Sequence, residues 1–318
     1  MLTIDKIKKD PPSVLVFGDI MLDEFIVGSV NRISPEAPVP VVVGERNLTN
    51  LGGCGNVIQN LFNIGAGINL VSAIGDDSTG DIIKRKIDEM RPVYNGLLVL
   101  KETRSTRKMR VIAERQHIVR VDWDSNGLSS IDSEKILSVI PKAIESSDGI
   151  IISDYDKGFC NNEITSFLIK EAKKNQVDVF VDPKGVDWNK YSGATLITPN
   201  LKEAEMIIGS SISNDEEVEL AGNKICDFYK IKTCIITRGP EGISVISNNQ
   251  CTHIPSNARE VFDVSGAGDT VIACLTSALL SGIDLIQAVT FANCAAGMVV
   301  GHVGTVPVRM HELESINF

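Results

Sequence analysis

Six short apolar runs rich in β-branched residues set the strongest limit on the fold: Val14 to Phe17, Ile68 to Ala73, Gly149 to Ser153, Val177 to Val181, Thr195 to Thr198 and Thr233 to Thr237. Several alternate with stretches long enough for helices, such as Asn161 to Asn175 and Glu216 to Lys230. Near-continuous apolar strands alternating with helices predict an α/β fold: a doubly wound, mostly parallel central sheet with helices on both faces. Most runs end in small or polar residues, as in Phe17-Gly-Asp19, Ser153-Asp154, Val181-Asp182-Pro183, Thr198-Pro-Asn200 and Thr237-Arg-Gly239. Open α/β sheets bind ligands beyond the carboxyl ends of their strands, so these five endings should converge on one cleft.

Two segments break the rhythm. Val39 to Val43 and Leu97 to Val121 hold β-like runs without intervening helices, which predicts a small second sheet acting as a lid, with segments at about 24–48 and 97–122. The motifs below run through all 318 residues without a linker, so residues 1–318 are read as one domain.

A hydrophobic content of 43% against 23% charged residues suits a folded core rather than a disordered chain. The net charge of −10 argues against a nucleic-acid partner, so an anion must bind at a local exception. Seven scattered cysteines form no CxxC pair and read as reduced core residues; the four histidines lack metal-ligand spacing. Met1 to Asp10 lacks the apolar stretch of a signal peptide and no later run approaches membrane-spanning length, so the expectation is a soluble, cytoplasmic protein with no membrane partner.

The most informative stretch is Asp263-Val-Ser-Gly-Ala-Gly-Asp269, followed by the apolar run Thr270 to Leu280. Glycines permit a tight turn with exposed N–H groups, and a following helix places its positive end there, so Gly266, Ala267 and Gly268 form an anion hole. A carboxylate at its mouth, Asp269, is placed to accept the proton of an attacking hydroxyl. An isolated Gly-Asp pair would more simply cap a helix. The sequence holds no GxxxxGK[ST] loop, and Val271 stands where a dinucleotide fingerprint needs its third glycine.

The whole heptad resembles the C-terminal signature of the ribokinase-like, or phosphofructokinase B-type, carbohydrate kinases. That resemblance implies a ribokinase-like fold, Asp269 as catalytic base, Ser265 in the frequent Thr position, and ATP and Mg2+ as cofactors. Asn200-Leu-Lys-Glu203 resembles the family's Asn-x-x-Glu motif, which implies that Asn200 and Glu203 hold magnesium through water, although the pair also suits a helix cap. Thr237-Arg-Gly-Pro-Glu-Gly242 resembles the nucleotide turn, implying roles for Thr237, Gly239 and Gly242, where an ordinary β-turn is the simpler reading. Ala292-Asn293 resembles the segment beside the adenine, although an Asn293 satisfied by backbone fits as well. The resemblance also admits a monovalent cation near the Asp263 loop and a homodimer formed through the lid.

Gly52-Gly-Cys-Gly-Asn56 resembles the N-terminal signature, whose glycines let a sugar approach the backbone while Asn56 bonds its hydroxyls; Cys54 stands where a small residue such as Ala is common. Asp19 and Asp23 are expected to hold sugar hydroxyls, with Asp19 equally suited to accept structural hydrogen bonds. Within the family, Phe17-Gly-Asp-Ile-Met-Leu-Asp23, Asn31-Arg-Ile-Ser-Pro-Glu-Ala-Pro-Val-Pro40, Ser153-Asp-Tyr-Asp-Lys-Gly158 and Asp182-Pro-Lys-Gly185 resemble the bacterial heptose 7-phosphate kinases. Those enzymes phosphorylate the anomeric hydroxyl of D-glycero-β-D-manno-heptose 7-phosphate, supplying ADP-heptose for lipopolysaccharide.

The residues independently favour an anionic acceptor. Arg104, Arg107, Lys108, Arg110, Arg115 and Arg120 cluster within Thr103 to Arg120 against one acidic residue, Glu114. A solvated charged face is the ordinary meaning of such a run. At a cleft edge it suits a sugar phosphate, for which Arg110, Lys108 and Arg107 are the first candidates. Lys157 and Lys184 are second choices, Lys184 being the better placed for ATP. In many bacteria such kinases are fused to a nucleotidyltransferase with a His-x-Gly-His-type motif, which this chain lacks; it is read as a stand-alone kinase or one domain. The alternatives are a kinase of another sugar, sugar phosphate or nucleoside, and, from a different class, a non-catalytic sugar-phosphate sensor.

Overall fold

The computed structural model describes residues 3–114, 116–125, 133–257, 261, 263–302 and 304–314. In chain order its elements are α1 (Thr3–Lys9), β1 (Ser13–Gly18), β2 (Ile20–Ile33), β3 (Pro40–Gly53), α2 (Cys54–Asn63), β4 (Gly67–Gly75), α3 (Ser78–Glu89), β5 (Tyr94–Leu100), β6 (Arg107–Ala113) and β7 (Gln116–Trp123). The second half adds α4 (Ser133–Glu145), β8 (Gly149–Ser153), α5 (Asn162–Lys174), β9 (Asp178–Asp182), β10 (Leu196–Ile197), α6 (Leu201–Ile208), α7 (Asp215–Tyr229), β11 (Thr233–Thr237), β12 (Ile243–Ser247), β13 (Gln250–Ile254), α8 (Ala267–Leu280), α9 (Leu285–Val299) and α10 (Met310–Leu313). No helix among the described residues is long and apolar enough to cross a membrane.

Nine strands form the main sheet in the order β13-β12-β11-β10-β9-β8-β1-β4-β5. The pairings from β5 across to β11 are parallel, and β12 pairs antiparallel with both its neighbours. Strand alternation feeds two cores. Val14, Val16, Ile151, Phe180 and Ile235 enter one, with side chains of α2, α3, α8 and α9. Leu15, Phe17, Ile150, Ile152, Val179, Val181, Cys234 and Ile236 enter the other, with side chains of α4, α5 and α7. Both faces are therefore dry, the physical reason these strands read as unbroken apolar runs. Truncating a side chain such as Ile151 to Ala in either core costs about 2–5 kcal/mol.

The second sheet has the order β3-β2-β6-β7. Its long hairpin β2/β3 is buried at its root and exposed at its tip, with register shifts at Val27/Gly28 and Val30/Arg32. The hairpin starts at Ile20 and returns to Gly53, so it reaches further into the body than the expected 24–48. The expected 97–122 segment needs a correction: Leu97 to Leu100 lie in β5, which pairs parallel with β4 at the edge of the main sheet. Leu97 packs on one core and Leu98 and Leu100 on the other. The lack of a helix between β5 and β6 hid that boundary in the sequence.

One residue, Asp19, separates β1 of the main sheet from β2 of the small one. Its N–H donates to the Ser153 carbonyl at 3.1 Å and its carbonyl accepts from Cys54 at 3.0 Å. The change of sheet is thus pinned from both sides.

Candidate active site

The Asp263 to Asp269 loop leads into α8, whose N-cap is Gly266 in the left-handed region at φ 83°. A Cβ at Gly266 would lie 2.5 Å from Asn56 Nδ2, so glycine is required there by conformation and by space. Ala267 and Gly268 open α8, with Gly268 exposed; the first turn of a helix carries N–H groups beyond its own ladder. Ser265 N–H donates to Asp263 Oδ1 at 2.9 Å, and Gly304 N–H donates to Asp263 Oδ2 at 3.0 Å. Burial pushes the Asp263 carboxyl up, but these two bonds, the Ser265 side chain and the His117 imidazole 3.9 Å away on β7 together outweigh it and hold the group below its ordinary range.

Asp269 is 1% exposed. Asn56 Nδ2 donates to its Oδ2 at 2.8 Å and the Tyr155 hydroxyl donates to its Oδ1 at 2.8 Å. Burial raises its pKa to about 7; the two hydrogen bonds oppose that rise and the Asp23 charge adds to it. Asn56 belongs to α2, which starts directly after β3, so the N-terminal and C-terminal glycine motifs meet at this carboxylate.

Asp23 on β2 is buried and accepts from Arg110 Nη1 at 2.5 Å and from Thr305 Oγ1 at 3.2 Å. A Cβ at Gly52 would lie 2.3 Å from Asp23 Oδ2, which explains the glycine on the facing strand; Gly53 beside it N-caps α2. Asp19 follows its structural reading: its carboxylate accepts the N–H groups of Tyr155 (2.9 Å), Lys157 (3.2 Å) and Phe159 (3.2 Å). Burial and neighbouring Asp154 push Asp19 up to about 6. Asp19 therefore shapes the loop after β8.

The candidate phosphate-binding cations are all paired. Arg107 Nε donates to Glu24 at 2.7 Å and its guanidinium lies 4.6 Å above the Trp123 ring. Lys108 lies 3.5 Å from Asp122, Lys157 lies 2.7 Å from Asp124, and Arg120 lies 3.0 Å from Asp122. Arg115 falls outside the described residues. Among the described residues of the run, Arg107 and Arg110 thus meet acidic partners on β2, far away in sequence, while Lys108 and Arg120 share Asp122 on β7.

On the other side of the Asp269 loop, Asn200 and Glu203 form a capping box at the start of α6: Asn200 Oδ1 accepts from Glu203 N–H at 3.0 Å, and Asn200 N–H donates to Glu203 Oε2 at 2.9 Å. Lys184 Nζ donates to Glu203 Oε1 at 2.6 Å. Half-buried Asp182, at the end of β9, is raised well above its ordinary value by burial and by the charges of Asp269 and Glu203. Thr237 ends β11 beside Asn200, and Gly239 and Gly242 close a single 3-10 turn. Asn293 donates to the Pro255 carbonyl at 2.7 Å, the backbone-satisfied state that also suited the sequence.

Tyr155, Thr305 and Asp154 were missed as site residues. Asp154 is buried and accepts from Lys190 at 2.5 Å and the Tyr191 hydroxyl at 2.7 Å. Ser153-Asp-Tyr-Asp-Lys-Gly158 did mark a strand end, but a sequence does not tell which of its side chains turns toward a residue 114 positions away.

A buried carboxylate at a glycine-capped helix start, at the carboxyl end of a parallel sheet and beside a hairpin-rooted small sheet, is the arrangement that the ribokinase-like carbohydrate kinase signature leads us to expect. Residues 12–311 match the pfkB family carbohydrate kinase, and the chain belongs to that family. It is 42% identical over 305 residues to "Bifunctional protein HldE" of Nitratiruptor sp., covering 95% of this chain and 64% of that protein. The protein of the same name from Paramagnetospirillum magneticum is 41% identical over 94% of this chain and 62% of its own length. The chain thus spans somewhat under two thirds of these relatives. Among solved structures, phosphofructokinase-2 from Escherichia coli in complex with potassium superposes with a TM-score of 0.79 at 18% identity, covering 96% of this chain and 97% of the other. Ribokinase from Arabidopsis thaliana, complexed with ribose and ATP, gives 0.75 at 18% identity, over 96% and 98%. The ribokinase-like fold expected from the motifs is therefore found.

Proposed function

We propose that this chain transfers the γ-phosphoryl group of ATP to the anomeric hydroxyl of D-glycero-β-D-manno-heptose 7-phosphate. The observation that carries the reading is Asp269, a buried carboxylate with a pKa of about 7 at the glycine-capped start of α8. Two relatives named HldE at 41–42% identity, together with the Arg32-Ile-Ser-Pro-Glu36 run, support the heptose assignment.

Asp269 takes the proton of the acceptor hydroxyl as its oxygen attacks in line, and the amides of Gly266, Ala267 and Gly268 stabilise the charge spreading over the transferred group. Asp23 and Asn56 orient sugar hydroxyls beside that base. Arg107, Lys108, Arg110 and Lys157 draw in the sugar phosphate, exchanging carboxylate partners for it. Thr237, Gly239 and Gly242 seat the nucleotide, Lys184 meets its phosphates, and Asn293 and Ser265 border its pocket. Magnesium supplies neutralisation of the phosphate oxygens when bound. The residues present fit it through water: Asn200 and Glu203 are engaged with each other, and Asp182 stands near them as a further oxygen donor. A monovalent cation beside Asp263, a dimer through the small sheet and a cytoplasmic location complete the reading.

The test is ADP release with MgATP and the heptose 7-phosphate, beside fructose 6-phosphate and ribose, with phosphorus NMR of the product. A new anomeric phosphate on the heptose alone is expected. Turnover with another acceptor only would overturn the substrate and keep the base; no ADP with any acceptor would favour the sensor.

A further inference from the structure

We propose that the Tyr155 hydroxyl is a positioning group for the transfer, holding Oδ1 of Asp269 so that the carboxylate presents one orientation to the arriving hydroxyl and its anion is favoured. This rests on Asp269 being the base.

The phenol is placed by its backbone. Tyr155 N–H is fixed on Asp19, as are those of Lys157 and Phe159, and Asp154 N–H donates to the Asp182 carbonyl at 3.1 Å. Asp156, in the left-handed region at φ 56°, returns its N–H to Asp154 Oδ1 at 2.7 Å. Lys190 and Tyr191 hold the other oxygen of Asp154. Two buried carboxylates, Asp19 and Asp154, thus lock the segment that carries the phenol.

The partners of Asp269 are chemically selective. Asn56 and Cys54 face it from α2, Asp23 from β2, Tyr155 from the loop after β8 and Asp182 from β9. Burial, reinforced by the charges of Asp269 and Asp182, holds the Tyr155 phenol well above its ordinary value. It therefore stays protonated through neutral pH and acts toward Oδ1 as a donor. Neither direct donor carries charge, so both steady the anion without removing its affinity for a proton, whereas an ammonium or guanidinium there would do so.

The test needs no sugar. Aspartate carboxyls are labelled with carbon-13, the Asp269 signal is identified by its loss in Asp269→Asn, and its titration is followed by NMR. Tyr155→Phe is expected to raise the midpoint by about one unit. With substrate, kcat should fall roughly tenfold at pH 6 and recover near pH 9, with KM nearly unchanged. Site-specific replacement of Tyr155 by a ring-fluorinated tyrosine keeps the shape and strengthens the donor, so it should move the midpoint down and guards against a variant that merely folds badly. An unmoved midpoint in both proteins, or a raised KM at constant kcat, overturns the proposal. Turnover retained by Asp269→Asn would instead remove the base assignment, a separate failure read in a separate protein.

Discussion

Asp269 and Asp23 are both buried carboxylates in one cleft, and the protein treats them oppositely. Asp269, at the main-sheet end, has two neutral donors; Asp23, on the small sheet, has the guanidinium of Arg110. An ion pair settles a charge, whereas neutral donors orient it and leave it reactive. On the small-sheet side a guanidinium pairs directly with Asp23, whereas Lys157 and Lys184, which follow the main-sheet strands β8 and β9, pair with Asp124 and Glu203 and leave Asp269 to its neutral donors.

The largest break of that contrast is Asp269→Asn, expected to lower turnover by at least about a thousandfold, since base and orientation are lost together. Folding should survive and improve. The folded pKa of about 7 lies above the ordinary carboxylate value of 3.8, so wild-type stability falls as pH rises between those values. The variant lacks that slope, and denaturant melts should show its advantage greater at pH 8 than at pH 5 by roughly 1–3 kcal/mol. Arg110→Ala strikes the other side: Asp23 is left buried and unpaired, at a cost of about 3–5 kcal/mol in the same measurement. The wild-type pH profile is a gentler probe, with kcat/KM rising through about pH 7 as Asp269 deprotonates. A flat profile down to pH 5 would show that the neutral clamp does not set the base. The smallest change is Lys157→Ala, whose partly exposed pair with Asp124 is worth about 0–1 kcal/mol in stability. It should raise KM for a phosphorylated acceptor more than for its unphosphorylated counterpart.

The same division governs what could be read in advance. Parallel strands buried on both faces leave apolar runs, so the strands near residues 14, 149 and 233 and the helices capped by Asn161 and Asn214 were legible. The glycine loop and Asp269 were legible because their chemistry is local. The pairings were not: Arg110 with Asp23, Lys157 with Asp124 and Tyr155 with Asp269 join residues far apart in the chain, and only the fold decides them. Asp19 admitted both a sugar-binding and a structural reading because a carboxylate at a strand end has the same sequence in either role, and only the fold shows the three backbone amides it gathers. Asn200 and Glu203 make the capping box that their spacing allowed, which leaves a water-mediated metal role compatible with it.

The single-residue junction at Asp19 bears on how the small sheet can move. A flap that swings needs a free axle at its root, and this root is bolted through Ser153, Cys54 and the three amides gathered by the Asp19 carboxylate. The irregularities of the hairpin lie farther out, where the β2/β3 register shifts at Val27/Gly28 and Val30/Arg32. The hairpin is thus built like a diving board clamped at one end, with Asp23 buried near the clamp and the exposed ends of β2 and β3 at the free tip.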